Sequence, residues 1–186
     1  MMDARHRLHL SAAETGKVLA LKGRHQEALL QYREALRLAF SARAPQVFAR
    51  HYLHCVLESL EHLGDHQHAA ELAGAAADAA ALPEPTPFQK RDRANLLERR
   101  GVNLIKAGDI SDARAALAAA LELDDALKLS RSLLEWTARG LSINSARLAD
   151  AQRKHGYWVV RADSMDADRR LDIHDVPPAI REMSHG

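Results

Sequence analysis

Apolar positions along this chain recur three to four residues apart, the period of an amphipathic helix, and alternation of the strand type is almost absent. The spacing predicts helices over about 4–22, 25–43, 46–63, 66–81, 87–107, 110–125, 127–146 and 148–155, with boundaries good to a few residues. Pro45, Pro83 and Pro85 fall between these runs and Pro87 stands at the first position of one, so none falls in a run's interior, as a residue without an N–H must.

The runs repeat. Gly23, Gly64 and Gly108 each open a turn that leads into an amphipathic stretch, GRHQEA, GDHQHA and GDISDA. Five residues after each glycine stands an alanine (Ala28, Ala69, Ala113), and seven further on another (Ala35, Ala76, Ala120). At glycine plus nine stand Tyr32, Ala73 and Leu117. Seven before each glycine stand Gly16, Leu57 and Gly101, and four before stand Leu19, Leu60 and Leu104. The unit is a helix with a small residue near its middle, a glycine turn, and a helix carrying alanines seven apart. Small residues let two antiparallel helices approach, so Gly16 with Ala28, and Gly101 with Ala113, are expected to mark the crossings. A fourth, degenerate copy follows: Trp136, Arg139, Gly140 and Ile143 repeat the spacing of Leu97, Arg100, Gly101 and Leu104, with Arg147 where a turn glycine would stand. A degenerate end copy suits the cap of a stacked array.

This pattern resembles the tetratricopeptide repeat (TPR) family, through Trp136, Gly16, Gly101, Gly140, the three turn glycines, Ala28, Tyr32 and Ala35. The resemblance covers about residues 8–151. It departs from the family in period, since the turn glycines are 41 and 44 residues apart. It implies an all-α, right-handed superhelical solenoid of antiparallel hairpins over 1–155, with a capping repeat at 127–155 and a C-terminal tail at 156–186, docked or disordered. It also implies that the first helix of each hairpin lines a concave groove. The positions so implied include Leu10, Ala13, Lys17 and Ala20; then His51, His54, Glu58, Glu61 and His62; then Asn95, Glu98, Val102 and Ile105; and Leu134, Thr137 and Leu141 in the capping copy. Of these, Lys17, His51, His54, Glu58, Glu61, Asn95, Glu98, Val102 and Ile105 are the expected partner-binding set. Their mixture of polar and apolar groups suits a peptide or protein better than a small metabolite. The carboxylate clamp of chaperone-binding TPR domains is not matched: the corresponding positions read Ala13, Lys17, Cys55, Asn95 and Arg99, and only Arg99 fits.

Composition narrows the class further. The chain has 186 residues, of which 35 are Ala and 27 Leu, while Val and Ile together number 12 and Thr 3. Strands need the β-branched and aromatic residues that are scarce here, so a sheet is excluded on this ground as well. The net charge of +1 gives no global attraction to polyanions. It is unevenly laid out: residues 1–44 carry 8 basic and 4 acidic side chains, and residues 45–86 carry 1 and 6. One cysteine, no apolar leader and no run of membrane-spanning length make a reducing cytoplasm the expected setting.

His51, His54, His62, His66 and His68 invite a metal site, but they extend too far along the helix axis for one ion to use all five. Cys55 follows His54, yet adjacent helical side chains diverge by about 100°. No phosphate loop, nucleophile elbow or Cys-x-x-Cys occurs. The expectation is a protein that is not an enzyme, with no cofactor and no metal. Lys90, Arg91, Arg93, Arg99 and Arg100 form a basic run, but Asp92 and Glu98 interrupt it, so nucleic acid is disfavoured as a partner. Leu127, Leu134, Leu141 and Leu148 are seven apart; a stripe packed on the third repeat is preferred to a dimer seam, because the second apolar row is missing. The tail opens with the apolar patch Tyr157-Trp158-Val159-Val160; its plain reading is a disordered or loosely docked segment, and its sharper one a docking segment whose aromatic cluster covers the open end of the array. Farther on, Val176–Ile180 is a segment that could bind a partner or the chain's own groove. The functional expectation is a non-catalytic scaffold or adaptor for a peptide or protein, with a self-associating assembly protein or a regulatory subunit as the alternative.

Overall fold

A computed structural model describes residues 4–164. Among them are eight α-helices, one 3-10 turn and no strand. The helices are α1 (Ala4–Leu21), α2 (His25–Ser41), α3 (Gln46–His62), α4 (His66–Ala79), α5 (Pro87–Ala107), α6 (Ile110–Leu123), α7 (Lys128–Ala138) and α8 (Ser145–Lys154), and the 3-10 turn is Ala162–Ser164. The protein is all-α. It divides into two compact units, one made of residues 4–56 with 160–164 and the other of Leu57–Val159.

Helix ends follow from local chemistry. Gly23, Gly64 and Gly108 take φ of +76°, +79° and +90°, the left-handed conformation that only glycine adopts without strain. After each, the next N–H reaches back to the carbonyl of Leu19, Leu60 or Leu104, tying off the helix. The start of α5 is fixed by a capping box: Thr86 Oγ1 accepts from Gln89 N–H, Gln89 Oε1 accepts from Thr86 N–H, and Pro87 occupies the first helical position.

In the unit containing residues 4–56, α1 and α2 form a hairpin. A Cβ on Gly16 would stand 2.5 Å from the Tyr32 ring, so the absent side chain is what admits the tyrosine. Ala13, Ala35, Ala39 and Tyr52 form the core beside it. In the other unit, a Cβ on Gly101 would stand 2.5 Å from Leu117 and 3.3 Å from the Ala113 carbonyl. The crossings are therefore marked less by glycine against alanine than by glycine against the large residue nine after the turn. Ala28, Ala69 and Ala113 are all fully buried, as close-approach positions must be. At the corresponding positions of the second copy the sizes are exchanged, with Leu57 for the glycine and Ala73 for the large residue. Both are fully buried. Val102, Leu117, Leu129, Leu133 and Leu148 lie in the core of this second unit, with Tyr157 among them.

The fourth copy differs from the expected run over 127–146. Helix α7 stops at Ala138, and Gly140 takes φ of +64° while Leu141 N–H bonds the Trp136 carbonyl. Gly140 is thus a turn glycine of the same kind as Gly108, not a small mid-helix residue, and Arg147 lies within α8 rather than at a turn. The leucine heptad is broken for the same reason. Leu133 and Leu148 are core residues, whereas Leu141 is 39% exposed in the loop. A continuous dimer seam along that heptad is therefore ruled out.

Candidate functional site

Of the side chains expected to line a binding face, those in the Leu57–Val159 unit converge on one buried polar cluster. Glu58 and Glu61 come from the last turns of α3, Arg99, Asn103 and Lys106 from successive turns of α5, and Gln152 from the end of α8. Spacings of three and four put each set on one helix face. The chain then turns at Gly156, where φ is +66° and Tyr157 N–H bonds the Gln152 carbonyl, and delivers residues 157–159 onto this cluster.

The Arg99 guanidinium donates to Glu58 Oε1 at 2.9 Å and to the Tyr157 carbonyl at 3.2 Å, and its Cζ lies 4.6 Å from the Tyr157 ring centre. Glu58 Oε1 also accepts from the main-chain N–H of Val159. Glu61 collects four donors: Lys106 Nζ at 2.6 Å, Gln152 Nε2 at 2.7 Å, the Tyr157 hydroxyl at 2.7 Å and Asn103 Nδ2 at 3.3 Å. Trp158 stacks on His62 with ring centres 4.4 Å apart, and Lys106 Nζ is 5.8 Å from the indole. Asn103 donates to the Arg99 carbonyl and accepts from His66.

Burying these charges costs several kcal/mol each unless they are matched, and here every acidic group has dedicated donors. Burial alone would raise the Glu61 carboxyl, but Lys106, the Tyr157 hydroxyl and Arg99 more than reverse this and hold it below its ordinary range. The Tyr157 hydroxyl is pushed well up, by burial first and Glu61 second. Arg99 is raised; burial opposes its charge, and Tyr157, Glu58 and Glu61 outweigh burial. The His62 imidazole is lowered by burial, against the pull of Glu61 and Glu58.

Glu98, one helical step away, has a different task. Its Oε2 accepts from Ser130 N–H at 3.0 Å and from Ser130 Oγ at 2.6 Å. The α7 N-cap is Leu127, which has no side-chain acceptor, so a carboxylate from α5 satisfies the buried first-turn amide instead. Burial is the larger influence on Glu98 and leaves its carboxyl raised. Val102 and Ile105 sit in the apolar core of this unit, and Asn95 is partly exposed.

The other unit places the remaining expected residues. Lys17 is buried, paired with Glu14 at 2.8 Å, and makes a long 3.5 Å contact with the Ser164 carbonyl. His54 is buried, and His51 Nε2 lies 3.8 Å from Cys55 Sγ, one helical turn on. Burial, then Lys17 and His54, lower the His51 imidazole to about 4. His9 is fully buried, shares a 2.7 Å hydrogen bond with the Tyr52 hydroxyl, and is lowered to about 4 by burial and by His6. Neither His9 nor Tyr52 was singled out in the sequence; the signal available was an i, i+3 histidine pair, His6 and His9, on the apolar side of α1.

Other candidates resolve locally. Among the described residues no group of three or more His, Cys, Asp or Glu is placed to hold a metal ion. The basic run is largely engaged: Arg93 donates to the Ala77 carbonyl, Arg99 is buried, Arg91 lies 3.5 Å from Asp124, and Arg100 packs where a Cβ on Gly74 would be, at 3.1 Å. Val176–Ile180 lies outside the described residues. Among those described, no helix is long and apolar enough to cross a membrane. No family model matches this chain, and no curated protein or solved structure is significantly similar to it.

Proposed function

We propose that this chain is a non-catalytic scaffold of the TPR-like solenoid class that binds a peptide or protein partner and works in the cytoplasm. One observation carries the reading. Glu58 and Arg99 hold a main-chain N–H and a main-chain carbonyl of a segment that is neither helix nor strand. Those are groups every peptide offers, and side chains fixed on helices hold them without a large ordering cost on binding. Of these two, Glu58 is among the residues that the repeat resemblance assigns to a binding face, and Arg99 is not.

The test is capture of partners from the native cell by wild type, by Glu58→Gln and by Arg99→Lys. Each variant keeps polarity while altering the main-chain contact. The expected outcome is that partners recovered with wild type are depleted with both variants, at unchanged circular dichroism. Equal recovery from folded variants would sink the reading. Self-association is favoured by a separate observation, the 88% exposure of Phe40 on α2. Light scattering of wild type and Phe40→Ser separates it: a dimer that the substitution dissolves would support it, and a monomer would dismiss it.

A further inference from the structure

Residues 157–159 combine a buried anchor, Tyr157 in the core of its unit, with polar contacts of the kind that a bound peptide makes. Tyr157 is held at three points by two side chains of one site: its carbonyl and its ring face by Arg99, and its hydroxyl by Glu61. Val159 is held through its main-chain N–H, by Glu58. The second aromatic sits at the margin, with Trp158 only partly buried against the exposed ring of His62. The segment belongs to no helix or strand, so its departure breaks no repeating ladder of hydrogen bonds. It follows Gly156, a residue already in the left-handed conformation and suited to act as a pivot.

We propose that residues 157–159 are a resident, displaceable ligand of the Glu58–Arg99–Glu61 site. The partner this site fits is a non-helical protein segment bearing a Tyr-Trp pair, which competes with them. The inference rests on the peptide-binding reading above and adds the identity of the motif and its regulation. Binding of the incoming segment is weakened by the fraction of time the site is already filled, so the chain's own segment sets the threshold. The requirements on the competitor follow from the contacts. It needs a phenol to reach Glu61, a carbonyl for Arg99, a free N–H two residues on for Glu58, and a flat ring for His62.

The test uses the full chain and a fluorescent, end-blocked peptide of residues 155–161, His-Gly-Tyr-Trp-Val-Val-Arg, with a scrambled control. Trp158→Ala removes the marginal stack, and Val159→Pro removes the N–H that Glu58 accepts. With the resident segment loosened, each variant is expected to bind the peptide at least about tenfold more tightly than wild type does, and the scrambled peptide not at all. Folded variants that bind the peptide no more tightly than wild type overturn the proposal. Should either variant unfold, hydrogen exchange on wild type decides. A displaceable segment predicts that the Val159 amide exchanges about 100-fold faster than those of Val102 and Leu104, and exchange at their rate would make the segment core and end the idea. Native partners captured equally by wild type and Trp158→Ala would overturn displacement while leaving the scaffold reading intact.

Discussion

The first and third hairpins share a register but not a chemistry. Both cross where a glycine seven before the turn admits a large residue nine after it, Gly16 with Tyr32 and Gly101 with Leu117. On the helix preceding the turn they diverge. The α1 face keeps its ion pair on one helix, Glu14 with Lys17, and reaches α3 through a neutral hydrogen bond between His9 and Tyr52. The α5 face buries charges that link separate elements: Arg99 to Glu58 on α3, Lys106 to Glu61 on α3, and Glu98 to the start of α7. The contrast teaches that the repeat positions specify how a hairpin closes, while the intervening polar residues specify what it holds.

The largest effect should come from breaking the charged link. Arg99→Met leaves Glu58 buried without its cation and is expected to cost about 3–5 kcal/mol in urea unfolding. Glu58→Gln in the same chain should restore part of this, because it removes the stranded charge. A loss below about 1 kcal/mol would place the pair among solvated surface bridges and erase the contrast.

The neutral link should answer to pH instead. His9 titrates at about 4 when folded against 6.5 when free, so between those values the unfolded chain takes up a proton that the folded chain refuses. Stability present above pH 6.5 is therefore lost as pH falls towards 4. For His9 this amounts to about 2–3 kcal/mol. His51, also lowered to about 4, adds to the same slope, as do His62 and His155, each shifted down by burial. His9→Gln should flatten its share, measured as the change in unfolding free energy between pH 7 and pH 4.5. A slope unchanged by the substitution would assign it to the other histidines.

The shared crossing predicts a smaller and common effect. Gly101→Ala and Gly16→Ala should each lose about 1–3 kcal/mol by overpacking. Leu117→Ala should partly rescue Gly101→Ala, giving a double-mutant coupling of the favourable sign. Additive losses would mean the methyl group meets something other than Leu117. Smallest of all, Arg43, just past the Ala42 cap of α2, has φ of +50°, a glycine conformation held by an arginine. Arg43→Gly should raise stability by a few tenths to about 1 kcal/mol, visible as a small rise in melting temperature.

The hairpins could be read from the sequence because glycine turns and apolar spacing are local signals. Six of the eight helices begin at the residue expected for them and end within two residues of it. Gly140 was misplaced because a glycine can serve a close crossing or a left-handed turn, and spacing alone does not separate the two. The polar cluster was half visible. Glu58, Glu61 and Glu98 fall on one face by their spacing, but their burial depends on donors 32 to 101 residues away in sequence, which no periodicity reports. Tyr157 and Trp158 stood out by character. Their seat on Glu61 and His62 followed from the turn at Gly156.

The carboxylate of Glu98 at the start of α7 bears on how freely such repeats can be shuffled. Helix α7 borrows its initiator from another copy, so the final module is not an interchangeable part. Transplanted behind a hairpin without a glutamate at that position, residues 127–154 would begin a helix with an amide unanswered. An engineer duplicating these helices would have to carry Glu98 and Ser130 together, as a matched joint.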